Sequence, residues 1–420
     1  MNYRGALAWL YGLQRFGIKP GLDNIRRLIA ELTGNGDFQI ADGGSEAAAP
    51  WLGKVIHVAG TNGKGSVCAM IDSILHAQGY RTGLFTSPHL VTFRERIRVN
   101  GEMISEEAVA TGLTQIRALV ADWDPHPTFF EVTTALALKH FSEERLAVVT
   151  LETGLGGRLD ATNAVQSAVS VITPIALDHE KWLGDSLDKI ASEKAGIIKP
   201  KTPVVSAPQR PQAEVVIRAR ASECEATLQI VNEPYEESSI SLAGAHQKQN
   251  AALAITALRA AKIDINDSAV ATGLATVDWP ARFQRWDERT IIDGAHNPAA
   301  ARVLAQTWRE VFGDQRATLV LAILSDKDHQ GICEALAPIS DYVLLPKIRS
   351  ERAAEPEDLA QVFLAITPKL HYSIAPSFGA ALEQARMRPA PILITGSLHF
   401  AGEVLAFLQG EPAAFEESAQ

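Results

Sequence analysis

Val55-Ile56-His57-Val58-Ala59 is an apolar run that reads as a buried strand, and it feeds Gly60-Thr61-Asn62-Gly63-Lys64-Gly65-Ser66 before a helix begins. Glycines let a backbone approach a polyphosphate closely, a lysine neutralises phosphate charge, and a serine hydroxyl can ligate Mg²⁺. That chemistry is nucleotide binding. The spacing departs from the common phosphate loop, which has glycine five residues before its Gly-Lys pair and Ser or Thr directly after the lysine. Here Val58 holds the first of those positions, and Gly65 separates Lys64 from Ser66. The bland alternative is an ordinary strand-turn-helix connection, but a lysine among three glycines has no packing purpose.

Five more places carry chemistry. The core-like run Leu146–Leu151 ends in Glu152-Thr153-Gly154-Leu155-Gly156-Gly157-Arg158-Leu159-Asp160-Ala161-Thr162-Asn163. Ligands of open parallel sheets collect outside the carboxyl ends of the strands, so Glu152 is placed to ligate a metal near the phosphate loop. The next strand leads to Asp178-His179, and Ser66, Glu152 and His179 together would make one oxygen/nitrogen site. Imidazole is unusual for Mg²⁺ and would also admit Mn²⁺. A lone histidine is as often structural. Lys194 closes a helix, where composition alone favours a cation compensating the helix dipole. Arg282 could meet phosphates, and Asp293-Gly294-Ala295-His296-Asn297-Pro298 ends a strand and opens a helix, with Asn297 also suited to be its N-cap.

These residues need elements to hold them. Helical spacing predicts residues 4–34 as helix, ended by Gly34-Asn35-Gly36, and 35–50 as a mobile loop. From 54 onward strands at 54–59, 82–86, 146–152, 168–173 and 202–206 alternate with helices at 65–78, 105–121, 131–142, 187–195, 211–223 and 246–261. A second series starts near 289, with strands at 290–293, 318–322, 341–345, 369–374 and 391–395 and helices at 298–312, 329–336, 356–365 and 377–386. Such alternation predicts an α/β protein: a larger ATP-binding domain with a mostly parallel sheet over 1–286, and a smaller Rossmann-like domain over 287–420. Two sheet tops facing across a linker form a cleft. The acidic tail Gln409–Gln420 is expected to fray.

Size and charge set bounds. The 420 residues suit two or three domains, and 46% hydrophobic content is ample for their cores. A net charge of −10 argues against a nucleic-acid partner. No run of eighteen apolar residues indicates a membrane span, and no secretion signal is visible at Met1–Gly5. Cys68, Cys224 and Cys333 fit neither a zinc spacing nor a disulfide framework, which points to a reducing cytoplasm.

Taken together, the strings resemble the folylpolyglutamate synthase/dihydrofolate synthase family, the folate branch of the ATP-dependent amide ligases that include the Mur ligases. The matching strings are Ala59–Ser66, Phe85–Leu90 (FTSPHL), Thr128–Glu131 (TFFE), Leu151–Asn163 (LETGLGGRLDATN), Asp178-His179, Glu193–Ile197 (EKAGI), His246-Gln247 with Asn250, Asp293–Pro298 (DGAHNP) and Thr395–Leu398 (TGSL). They run in family order over nearly the whole chain. The resemblance implies that Asn62, Gly63, Lys64 and Gly65 cradle the phosphates of ATP, and that Asn250, Arg282 and Asp293 contact it. It implies that Ser66, Ser87, Glu152 and His179 serve two Mg²⁺ sites, joined by Lys194 once carbamylated, which replaces the bland reading of that lysine. His296 and Ser397 would sit around the incoming L-glutamate. Thr128, Phe129, Phe130 and Glu131, with Leu159, Asp160 and Ala161, would line the pterin side used by dihydropteroate. Two departures stand out: Ala281 where the family often has glycine, and His399-Phe400 after TGSL.

The implied activity is acyl activation by ATP, then attack by the glutamate amine on dihydropteroate or on reduced folates, with Lys64, Lys194, His296 and Asp293 in the catalytic set. A monofunctional folylpolyglutamate synthase is the alternative. A Mur-type ligase is less expected, because about fifty residues precede the phosphate loop and a nucleotide-sugar domain would need more. A nucleotide switch would not need the second sheet. The family implies a monomer.

Overall fold

The computed structural model describes residues 1–17, 19, 21–33 and 51–416. Two sheets organise it. The first contains β1 (Lys54–Ala59), β2 (Thr82–Phe85), β3 (Ile97–Val99), β4 (Glu102–Met103), β5 (Val148–Glu152), β6 (Val169–Ile172), β7 (Val204–Ser206) and β8 (Leu228–Ile230), in the order β4-β3-β2-β5-β1-β6-β7-β8. It is parallel except for β3 and β4. The central strands β1, β5 and β6 are apolar and buried along almost their whole length, as a sheet covered on both faces requires. The second sheet contains β9 (Gln284–Arg285), β10 (Thr290–Ile292), β11 (Ala317–Leu321), β12 (Ser340–Pro346), β13 (His371–Ala375) and β14 (Ile392–Thr395), ordered β13-β12-β11-β14-β10-β9. Only β9 is antiparallel there.

Register brings the loops together. Val58 lies opposite Glu152 and Ala59 opposite Ile172, so the carboxyl ends of β1, β5 and β6 end side by side. In the second sheet Ile292 lies opposite Ile394, and Leu321 opposite Thr395, which aligns the loops after β10, β11 and β14.

Most expected elements appear within a residue or two. The single helix expected over 4–34 is instead two, Tyr3–Tyr11 and Asp23–Thr33, with a 3₁₀ turn at Gly12–Phe16 between them. Gly17 at φ 64° turns the chain there. The stop at 34–36 and the loop expected at 35–50 lie outside the described residues. Elements not anticipated are the short β3, β4, β8 and β9 and the helices Glu180–Leu183, Asp267–Thr276 and Leu398–Leu408. The tail expected to fray does not do so over Gln409–Glu416, where Glu416 is pinned by hydrogen bonds; 417–420 lie outside the described residues. Among the described residues no helix is long and apolar enough to cross a membrane.

Candidate active site

The phosphate loop leaves β1 and enters the helix Lys64–Gln78. Gly63 sits at φ 91°, and a side chain there would lie 2.9 Å from Asn250 Oδ1. As the residue before the helix it supplies no side-chain cap, so the first amides of that helix remain free for an anion. Lys64 Nζ donates to Gly60 O at 3.2 Å and Thr61 O at 3.3 Å, and lies 4.0 Å from Glu152 Oε1. Ser66 is buried two residues further along the helix.

Glu152 is a buried carboxylate with one hydrogen bond from Ser87 N, at 3.2 Å. Burial raises its pKa, and Lys64 opposes that rise. Ser87 Oγ is buried and has no hydrogen-bond partner among the described residues. A hydroxyl without a partner beside an under-used carboxylate suits a hard cation that takes one or two protein ligands and fills its shell with water and phosphate oxygens. The donors divide into two groups. Ser87 and Glu152 stand together, while the exposed His179, at φ 54°, pairs with Asp178. Among the described residues no group of three or more His, Cys, Asp and Glu converges on a metal position.

Lys194 ends the helix Leu187–Ala195 and is buried, its Nζ donating to Gly60 O at 2.8 Å. Burial, then the Lys64 cation, lowers its pKa to about 7. The string 152–163 is what seats it. Arg158 N donates to Glu193 O at 2.7 Å, Asn163 Nδ2 donates to Gly196 O at 3.1 Å, and a side chain at Gly157 would stand 2.9 Å from Lys194 O. Only glycine allows that approach.

The second sheet supplies the other wall. Asn297 caps the helix Pro298–Phe312 through Ala300 N, and its Nδ2 also donates to Asn62 Oδ1 at 3.0 Å and Asp178 Oδ2 at 3.1 Å. His296 Nδ1 donates to Gly294 O at 2.9 Å, and Nε2 lies 3.6 Å from Asp178 Oδ2. Both carboxylate oxygens of Asp293 accept backbone amides, from Phe283 and Ala295, each at 2.8 Å. Ser397 Oγ caps the helix Leu398–Leu408 through Phe400 N. Asn250 Nδ2 donates to Gln247 Oε1 at 2.9 Å, and Trp279 Nε1 lies beside Gly65. Arg282 Nη1 donates to Ala281 O at 3.2 Å.

Several residues assigned to the pterin side have a local use. Thr128 and Glu131 form a capping box: Glu131 Oε2 accepts from Thr128 N and Oγ1, both at 2.8 Å, at the start of the helix Phe129–Glu143. Asp160 ties its loop through Leu155 N, Thr162 N and Thr162 Oγ1. Phe129 stacks on Tyr11 at 5.7 Å, and Phe130 meets Phe85 at 5.9 Å. Ala161 is buried, while Leu159 is partly exposed.

Residues 281–398 match the family described as Mur ligase, glutamate ligase domain. The dihydrofolate synthase/folylpolyglutamate synthase of Bacillus subtilis is 36% identical over 96% of this chain and 98% of its own length. The chain belongs to this family of folate ligases. Solved structures of the family share its fold. The Mycobacterium tuberculosis folylpolyglutamate synthase complexed with ADP aligns with TM-score 0.85 and 32% identity over 97% of this chain and 99% of that one. The bifunctional Yersinia pestis enzyme complexed with AMPPNP and Mn aligns with TM-score 0.83 and 31% identity over 97% and 98%.

Two residues of this folate ligase escaped the sequence reading. Lys327 Nζ forms an ion pair with Asp178 Oδ1 at 2.7 Å, with both side chains buried. Its signal was available: Ser325-Asp326-Lys327-Asp328-His329 follows β11, at the carboxyl end of a strand in the second sheet. Arg96 is fully buried near Glu152 and left no comparable signal, since arginine in a surface-like FRER string reads as solvated.

Proposed function

We propose that this chain is an ATP-dependent amide ligase that adds L-glutamate to dihydropteroate, giving dihydrofolate, and to tetrahydrofolates, giving polyglutamates. The observation that carries the reading is the meeting of the two sheet tops. Lys64 and Glu152 face each other under the phosphate loop, and Asn297 ties the loop after β10 to Asn62 and Asp178. A nucleotide seated on the first sheet would thus present its terminal phosphate to groups of the second.

The acceptor carboxylate attacks the γ-phosphorus of ATP; a C–O–P bond forms and the bond to ADP breaks. The amine of L-glutamate then attacks the acyl carbon, the C–N bond forms and phosphate departs. Lys64 and Arg282 lower the cost of bringing a carboxylate to a polyphosphate, and the closed sheet tops orient the two substrates. Ser66, Ser87, Glu152 and His179 would hold Mg²⁺ or Mn²⁺, which supplies charge neutralisation of the transferring phosphoryl group. Asp293 has both oxygens engaged by backbone amides, so it shapes the loop. His296 has Nδ1 bonded to Gly294 O and its Nε2 free of hydrogen bonds among the described residues, 3.6 Å from Asp178 Oδ2, and is the better acceptor of the amine proton. Replacing His296 with alanine is expected to raise KM for glutamate while ADP binding persists; unchanged glutamate kinetics would remove it from the mechanism.

Carbamylation of Lys194 is part of the proposal. A buried amine titrating near 7 is partly neutral at physiological pH and can add CO₂. The carbamate keeps one N–H for Gly60 O and gains a carboxylate that can ligate the second metal. ¹³C-bicarbonate should give a carbamate resonance that Lys194→Arg lacks. We also place a domain boundary at 286/287, with β9 the edge strand just before it, and expect a monomer in the cytoplasm.

Phosphate release with Mg²⁺-ATP and L-glutamate tests the whole reading. Release that needs dihydropteroate establishes dihydrofolate synthesis, and release with tetrahydrofolate adds polyglutamylation. Release with tetrahydrofolate alone makes the enzyme monofunctional, and release with neither acceptor ends the ligase reading.

A further inference from the structure

The helix Leu398–Leu408 belongs to the second sheet, but the segment after it crosses to the first. On the second-sheet side Pro412 O accepts from Arg349 Nη1 at 3.2 Å, and the Phe415 ring meets His399 edge-on with centroids 5.1 Å apart. His399 is one of the two departures from the family pattern, and here it is the surface on which the tail packs. On the first-sheet side Glu416 is held through backbone and side chain alike. Its N donates to Val91 O at 2.8 Å and its O accepts from His89 Nε2 at 2.9 Å. Its Oε2 accepts from Phe93 N at 2.6 Å, Thr92 Oγ1 at 3.2 Å and Tyr3 OH at 3.3 Å. Three donors on one carboxylate oxygen form a charge-assisted anchor.

The anchor leads into the candidate site. Arg96 Nε donates to His89 Nδ1 at 2.8 Å, so that nitrogen is an acceptor and the ring proton is on Nε2, where Glu416 O receives it. Glu416 therefore selects the tautomer that lets His89 hold Arg96. The buried Arg96 guanidinium lies over the Phe129 ring at 5.4 Å, and its Nη1 and Nη2 have no hydrogen-bond partner among the described residues. The same loop begins at Ser87, whose amide donates to Glu152, and its Leu90 and Val91 pack against the core of the second sheet.

We propose that Glu411–Glu416 is a strap between the two sheets and that Glu416 is a positioning residue, setting His89, and through it Arg96, on the acceptor-substrate side of the cleft. The kinetic part of this rests on the ligase reading; the exchange measurement does not. In the full-length protein, Glu416→Ala should speed hydrogen exchange across residues 87–96 by about tenfold or more, and leave the phosphate loop at 60–66 protected as before. KM for dihydropteroate should rise by about tenfold while ADP affinity stays within about twofold, and Glu416→Gln, whose amide oxygen still accepts, should recover most of the parent behaviour. A chain ending at Gly410 should show the same pattern more strongly, and if it fails to fold, Glu416→Ala carries the test alone. Parent-like exchange over 87–96 in Glu416→Ala overturns the strap even in an enzyme inactive with every acceptor. An ADP-affinity loss as large as the acceptor effect overturns the positioning role.

Discussion

At the top of the first sheet, side chains keep unused capacity: Ser87 Oγ has no partner among the described residues, Glu152 accepts one amide, and the helix at Lys64 starts without a side-chain cap. At the top of the second sheet most of the corresponding polar groups are occupied, the exception being the buried Thr395 Oγ1 at the end of β14, which has no partner among the described residues. Asp293 holds two amides, Asn297 and Ser397 cap helices, and His296 Nδ1 bonds Gly294 O. Groups that bind charged ligands must retain valence in the absence of ligand, whereas groups that shape a loop complete theirs within the protein. That contrast is what the proposed function requires of a first sheet top that receives phosphate and metal. The second faces it as a wall, tied to it through Asn297.

Asp178 is where the two meet, and breaking it should have the largest effect. Asp178 and Lys327 are 7% and 8% exposed, and Asp178 also receives Asn297 Nδ2. Asp178→Ala leaves the buried Lys327 cation with only the half-exposed Asp326 at 3.9 Å, and a loss of about 3 kcal/mol is expected in denaturant unfolding. Adding Lys327→Met should return part of that loss, with a coupling above about 1 kcal/mol. Additive losses would mean that the pair does not hold the sheets together.

Next comes Lys64→Met, which tests whether the first sheet top is a binding surface. A positioned donor at a developing charge is worth about 10²–10³ in kcat, or about 3–4 kcal/mol. Loss of that order with little change in Tm is the expected outcome. A large drop in Tm with modest kinetic loss would make Lys64 mainly the counter-ion of Glu152.

The motifs at strand ends were legible because they are local: a strand period, a turn and a helix start fit within a dozen residues, as at 55–66 and 290–298. Those strings also carry the candidate site, and Asn297 is the cap that its place before Pro298 predicts. What was not legible depends on distant partners. Lys327 acquires meaning only beside Asp178, Arg96 only beside His89, and Glu416 only against the 89–93 loop. Short strands such as β3 and β4 carry too few residues to show a period, and Gly17 breaks a stretch whose apolar spacing reads as helical on both sides of it. Thr128 and Glu131 also form a capping box, a local role that the TFFE string carries alongside its expected place on the pterin side.

A third effect separates structural histidine from site histidine. His57, in the middle of β1, is fully buried with Nε2 2.8 Å from Thr162 Oγ1, and burial lowers its pKa to about 3. Its folded pKa lies below the unfolded value of about 6.5, so the unfolded chain binds more protons between those values. His57 therefore costs nothing above about pH 6.5, and it removes stability at about 1.4 kcal/mol per unit as pH falls toward 3. His57→Gln should flatten that part of the stability profile. An unchanged slope would mean that other groups set it.

The smallest effect concerns the joint between the sheets. Ala281 sits at φ 57° and is fully buried, and its neighbour Phe283 is at φ 47°. A left-handed alanine carries about 1 kcal/mol of strain that glycine avoids, while its buried methyl contributes about 0.8 kcal/mol that glycine loses. Glycine would also gain freedom in the unfolded chain. The terms nearly cancel, so Ala281→Gly should change stability by less than about 0.5 kcal/mol. That balance explains how alanine can occupy a position where the family pattern often has glycine. A loss above about 1 kcal/mol would mean that the methyl is a packed part of the wall that carries Asp293, and that the second sheet top is firmer than its hydrogen bonds alone imply.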